Sequence, residues 1–226
     1  MVTISLIATG GGLGDLQDFM FTVDDANQYT FIVLSYHEGQ SDNITSITVD
    51  GNNLSSIANG GDGNTTHYVY SLAGLSAGQH DFTIQTSGGT YRYGYAILKV
   101  LGWDATLTES QLTGAGTTAA LSLETRTPDT VLSILTVDTN VTVTSGDNLL
   151  QSSFAGAVPL RVRFATSYDN SGSISWTLNT SQAWVLTILR LRGTDFHVGT
   201  PSHTADPSHF GLNSGIGTPG RIIVNP

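Results

Sequence analysis

The chain contains no cysteine, which removes disulfides, thiolate metal sites and cysteine nucleophiles from consideration. Positive charge is scarce as well. Lys and Arg together number eight, with Lys99 the sole lysine, against 18 Asp and Glu, so the net charge is −10 over 226 residues. A phosphate backbone would find little to neutralise, and nucleic acid is excluded as an expected partner. No apolar run approaches the ~20 residues of a membrane-spanning helix, so no membrane insertion is expected. The start, Met1 to Gly10, lacks a basic segment and alternates in polarity; it reads as a strand rather than a signal peptide.

Charged residues make up only 12% of the chain, and Thr, Ser, Gly, Val, Ile and Leu dominate the remainder, a composition suited to short strands joined by small-residue turns. Tyr29–Tyr36 is almost continuously apolar or β-branched and predicts a central strand covered on both faces. Ile44–Val49 alternates and runs into Asp50-Gly51-Asn52-Asn53, a hairpin signature. Strands are predicted at 67–72, 80–86 and 91–101, with glycine-rich turns at 10–14, 59–64 and 87–89.

The second half echoes the first at an offset of roughly 90 residues. Thr83-Ile84-Gln85-Thr86-Ser87 returns as Thr177-Leu178-Asn179-Thr180-Ser181, and Ile97-Leu98-Lys99-Val100-Leu101-Gly102 as Ile188-Leu189-Arg190-Leu191-Arg192-Gly193. The expected fold is all-β, an antiparallel, jelly-roll-like sandwich over 1–193 built from two similar halves, 1–104 and 105–193. One composite sandwich, each half supplying strands to both sheets, is favoured over the alternative of two tandem Ig-like domains. Residues 103–118 are the candidate boundary.

After Gly193 the character changes to proline- and glycine-rich sequence, with a strand signal at Arg221-Ile222-Ile223-Val224. Residues 194–226 are read as an extended C-terminal arm that adds a strand to a neighbouring subunit. Phe196, Phe210, Leu212, Ile216, Ile222, Ile223 and Val224 are its candidate assembly contacts.

Catalytic signatures are missing: no Gly-x-Ser-x-Gly elbow, no His-Glu-x-x-His and no paired carboxylates at a readable spacing. The chain is expected not to be an enzyme and to hold no cofactor. His197, His203 and His209 recur every six residues, about 20 Å apart if extended at ~3.3 Å per residue, too far for one metal within one arm. The acidic turns at Asp24-Asp25, Asp50-Gly51-Asn52 and Asp62-Gly63-Asn64 have calcium-type oxygen ligands but no complete loop motif. Tyr91, Tyr93 and Tyr95 share one strand face, and with Trp103 they form a candidate glycan platform. Trp176 and Trp184 read as core anchors.

The strings Ile44-Thr45-Ser46-Ile47-Thr48-Val49-Asp50-Gly51-Asn52-Asn53-Leu54, Tyr70-Ser71-Leu72 with Leu75-Ser76-Ala77-Gly78, and Ser175-Trp176-Thr177-Leu178 with Ala183-Trp184 resemble a β-sandwich module of phage virion proteins and bacterial surface proteins. The resemblance covers about residues 1 to 193. It implies a structural or adhesive module: a capsid decoration or tail accessory protein of a virion, partnered by copies of itself, such as a trimer, and by other virion proteins. The alternative is a carbohydrate-binding or host-adhesion module on a cell surface or outside the cell.

Overall fold

A computed structural model of the chain describes residues 2–14, 18–26, 28–37, 44–62, 65–86, 91–123, 129–137, 143–145, 149–151, 160–166 and 172–194. Its strands are β1 Thr3–Gly14, β2 Asp18–Val23, β3 Tyr29–His37, β4 Ile44–Val49, β5 Asn52–Asn53, β6 Ser56–Gly61, β7 Thr65–Ala73, β8 Gly78–Thr86, β9 Tyr91–Leu101, β10 Trp103–Leu123, β11 Thr130–Val137, β12 Val143–Ser145, β13 Leu149–Gln151, β14 Leu160–Thr166 and β15 Gly172–Gly193. Sheet I runs β1-β9-β3-β7-β6, sheet II β2-β8-β4-β5, and sheet III β10-β15-β11-β14-β13 with β12 on β15. Every pairing is antiparallel. The protein is an all-β sandwich.

No described sheet mixes strands from the two halves, so the halves do not supply strands to shared sheets as expected, although Met1–Asp195 is one compact unit. Within the first half the pairs are nested: β1 with β9, β2 with β8, β3 with β7 and β4 with β5. The second half repeats the scheme with fewer breaks. β10 and β15 stay paired over 21 and 22 residues, where the first half needs two strand pairs. The register shifts between Gly116 and Thr118, and Gly116 has φ 137°, a conformation that suits glycine at a bend. Beyond that bend the start of β15 lies over β11, because Trp176 Nε1 donates to Ser133 Oγ at 2.7 Å while β11 pairs in-plane with Trp184–Leu191. The halves meet at Gly102, and residues 103–118 form an edge strand instead of a linker.

Three apolar clusters follow. One fills the space between sheets I and II, with Phe21, Ile32, Leu34, Ile47, Phe82 and Ile97. Another lies on the far face of sheet III, with Leu135, Ile174, Trp176 and Leu186. The third joins the halves, placing Phe31, Val33, Ala96, Leu98 and Trp103 against Leu132, Ile134, Leu189 and Leu191. Odd residues of β3 therefore face sheet III and even residues face sheet II. Burial on both faces is why Tyr29–Tyr36 lacks polar alternation.

The repeat also fixes how the halves are related. Phe31 pairs with Leu98 and Leu132 with Leu189, so Ser35 and Thr136, each four residues further on, hold equivalent places. These two touch, Ser35 Oγ to Thr136 Oγ1 at 3.4 Å. Equivalent positions in contact mark a local two-fold axis, as in an isologous dimer. The edges agree: β6 touches β10 as β1 touches β13. Equivalent cations also repeat one task, since Lys99 binds Asp24 at 2.7 Å and Arg190 approaches Asp129 at 3.6 Å, tying down the chain just ahead of β3 and β11.

Candidate functional site

The anticipated glycan platform is not assembled as a surface. Trp103 is buried in the cluster between the halves, edge-on to Phe31 and Tyr29 at ring-centroid distances of 4.9 and 4.7 Å. Tyr93 is buried in the other core, between sheets I and II. Tyr95 is half-buried, stacked on Phe19 with centroids 3.8 Å apart. Side-chain placement at Tyr91 lies outside the described residues. At Tyr93 and Tyr95 the stripe is a core face because sheet II covers it. Tyr95 also explains Gly10, where a β-carbon would fall 2.5 Å from its hydroxyl. Gly10–Gly14 consequently forms the end of β1, paired with Tyr91–Tyr95, and not the expected turn.

A polar cluster that the sequence reading did not single out lies between the halves. His67 is fully buried, with Nδ1 2.9 Å from Thr136 Oγ1 and Nε2 2.8 Å from Thr187 Oγ1. Its own strand belongs to the first half and both threonines to the second. Burial holds its pKa down to about 3, so the ring is neutral and each nitrogen still has a hydroxyl partner. Gly60 permits this approach, since a β-carbon there would sit 2.7 Å from Thr187 Oγ1 and 2.8 Å from His67 Cε1. Residues 59–61, expected as a turn, are therefore strand. Sealed from solvent, the imidazole joins the two sheets and cannot exchange protons with a bound substrate.

His80 is the opposite case. Its Nδ1 lies 2.7 Å from Asp50 Oδ2 and its Nε2 2.8 Å from the Ser76 carbonyl. Both partners are acceptors, so the imidazolium satisfies both. Burial opposes the charge, but the bonds to Asp50 and Ser76 and the nearby Asp50 and Asp81 carboxylates outweigh it and raise the pKa above 6.5. Asp50 is held below its ordinary 3.8 by His80 and the Asp81 amide. Asp50 and Gly51, at φ 51° and 75°, form the tight hairpin turn expected there.

This clasp has a defined pH window. The His80 contribution is complete below about 6.5 and is lost as pH rises through its raised folded value. The Asp50 contribution is present above 3.8 and is lost as pH falls through its depressed one. Asp50→Asn, which tolerates the same backbone, is expected to lose about 1 kcal/mol at pH 6 and much less at pH 9. Thermal unfolding at both pH values measures this, and equal losses would refute the clasp.

Two surface features remain. A groove of about 460 Å³ opens between β1 and β2, lined by Leu6, Ile7, Met20, Phe21 and Asp24 among others. Leu6 and Met20 are 38% and 61% exposed; with Leu112 they are the exposed large apolar side chains of the described residues. A smaller cleft of about 240 Å³ beside β4 is lined by Tyr36, Tyr68 and Tyr70 with Thr45, Ser46, Ile47 and Leu54. Its tyrosines stack on one another, Tyr36 on Tyr68 at 5.9 Å and Tyr68 on Tyr70 at 6.2 Å.

Of the acidic turns, Asp24 is bonded to Lys99, and Asp50 to His80 and the Asp81 amide. Among the described residues no group of three or more His, Cys, Asp or Glu is arranged to hold a metal. His197, His203, His209 and the arm residues Phe196, Phe210, Leu212, Ile216, Ile222, Ile223 and Val224 lie outside the described residues. Comparison with protein-family models, with curated proteins and with solved structures finds no match in any of the three.

Proposed function

We propose that this chain is a non-enzymatic structural protein of the virion type that its sequence resembles, a capsid decoration or tail accessory component. In this reading it assembles with copies of itself and with other virion proteins through a sandwich edge and its C-terminal arm. The observation that carries it is the open β1–β2 edge, where Leu6 and Met20 stay exposed beside a groove. Exposed apolar side chains beside an edge strand favour partner pairing. The nested strand pairing of each half supports a jelly-roll reading, an architecture used by viral capsid and lectin domains. The titratable groups described above support a structural role too, since His67, His80 and Asp50 each hold parts of the framework together.

Sedimentation velocity over a range of concentrations tests the proposal. The full chain is expected to self-associate and a chain ending at Thr194 to remain monomeric. Monomers in both cases would overturn it. The second reading, glycan binding, rests on the tyrosine cleft beside β4, whose hydroxyls and ring edges suit a polar ligand. A glycan array without hits would remove that reading.

A further inference from the structure

We propose that the groove between β1 and β2 receives Arg221–Val224 from a neighbouring copy, added as a strand along the outer edge of β2. The inference rests on the arm-mediated assembly proposed above and names its acceptor.

β2 is the better of the two edges. It pairs with β8 in unbroken register from Asp18 to Val23 and has no sheet partner on its other side among the described residues. β1, by contrast, is interrupted by a register shift between Leu6 and Ala8, and such bulges blunt an edge against pairing. An added strand needs the regular ladder that β2 offers.

The side chains match on both faces. Phe21 points into the core and Met20, between Asp18 and Thr22, to the outside, so a strand beside β2 would meet an apolar side chain on each face. Arg221-Ile222-Ile223-Val224 is apolar on both sides when extended, with Ile222 and Val224 facing one way and Ile223 the other. An ordinary surface strand would be polar on its outer face. The arm's doubly apolar segment fits a site that has Ile7 and Phe21 within and Leu6 and Met20 without. Arg221 would lie near Asp18 at one end of β2 or, with the strand reversed, near Asp24, which Lys99 already holds at 2.7 Å.

Length permits the exchange. The last described residue, Thr194, donates its amide to the Gly102 carbonyl at 2.9 Å, and Leu101 pairs with Thr3 at the start of β1. Residues 195–220 then separate this point from Arg221, and a chain of that many residues has a coil dimension of roughly 25–30 Å.

Because the chain has no cysteine, engineered thiols report the contact without background. Met20→Cys and Ile223→Cys are made in separate chains, mixed and oxidised, with Leu112→Cys replacing Met20→Cys as the control. A disulfide-linked pair through positions 20 and 223, absent with the control, is the expected result. If only a chain carrying both cysteines closes, and closes on itself, the neighbour as source is overturned. If no 20–223 disulfide forms while removal of the arm still abolishes association, the groove is wrong but arm-mediated assembly stands. If removal of the arm also leaves association unchanged, both fail. As a second measurement, Met20→Asp is expected to weaken association at least tenfold with an unchanged far-ultraviolet spectrum, and unaltered association would overturn the proposal.

Discussion

Replacing His67 with Leu is expected to destabilise the protein by about 2–4 kcal/mol at pH 7.5, because the Thr187 hydroxyl loses its ring partner, Thr136 is left with Ser35, and the new side chain fills the site imperfectly. The dependence on acidity is more diagnostic than the size. His67 is neutral when folded, held down to about 3 by burial, but is an ordinary imidazole when unfolded. Protons therefore favour the unfolded chain from about pH 6.5 downward, by about 1.4 kcal/mol per pH unit. The leucine variant lacks this penalty, so its deficit should shrink by about 2 kcal/mol between pH 6.5 and pH 5. Denaturant titration at pH 7.5 and 5 measures both numbers. A deficit that stays constant would mean that His67 is not buried between the sheets.

Trp176 carries the other large effect. It is fully buried, and its indole N–H donates to Ser133 Oγ at 2.7 Å, holding the first part of β15 over β11. Trp176→Ala is expected to lose about 3–5 kcal/mol. Trp176→Phe keeps most of the packing but leaves Ser133 without its donor, and is expected to lose about 1–2 kcal/mol. Guanidinium unfolding midpoints should rank wild type, Phe and Ala in that order. A loss below 1 kcal/mol for the alanine variant would show that the β10–β15 pair does not fold back on its own sheet.

Much of the strand inventory was legible because the signals were local. The continuous apolar run 29–36 could only be a strand with both faces covered, and Asp50-Gly51 marked a turn with two residues at positive φ. Echoed segments identified β9 and the latter part of β15 as equivalent before any pairing was known. Pairing itself was not legible, since period-two patterning tells which residues are buried but not which sheet buries them. For that reason Tyr93 and Trp103 were read as one platform, although they belong to different cores.

Glycine misled in a consistent way. At Gly51 it marks a turn, but at Gly10 and Gly60 it marks a strand whose missing β-carbon admits Tyr95 or the His67–Thr187 contact. Composition cannot separate these uses, because the deciding neighbour is distant in sequence. His67 was overlooked for the same reason: its partners lie 69 and 120 residues away.

The direct passage from β9 to β10 through Gly102 has a consequence for symmetry. Two separate subunits related by a two-fold axis must present the same exterior twice and part on dilution. Fusion removes both constraints: the contact persists at any concentration, and each outer surface is free to diverge. Here one half ends in two edge strands, of 12 and 6 residues, and the other in a single folded edge of 21 residues. The molecule is thus a two-fold scaffold with unlike ends.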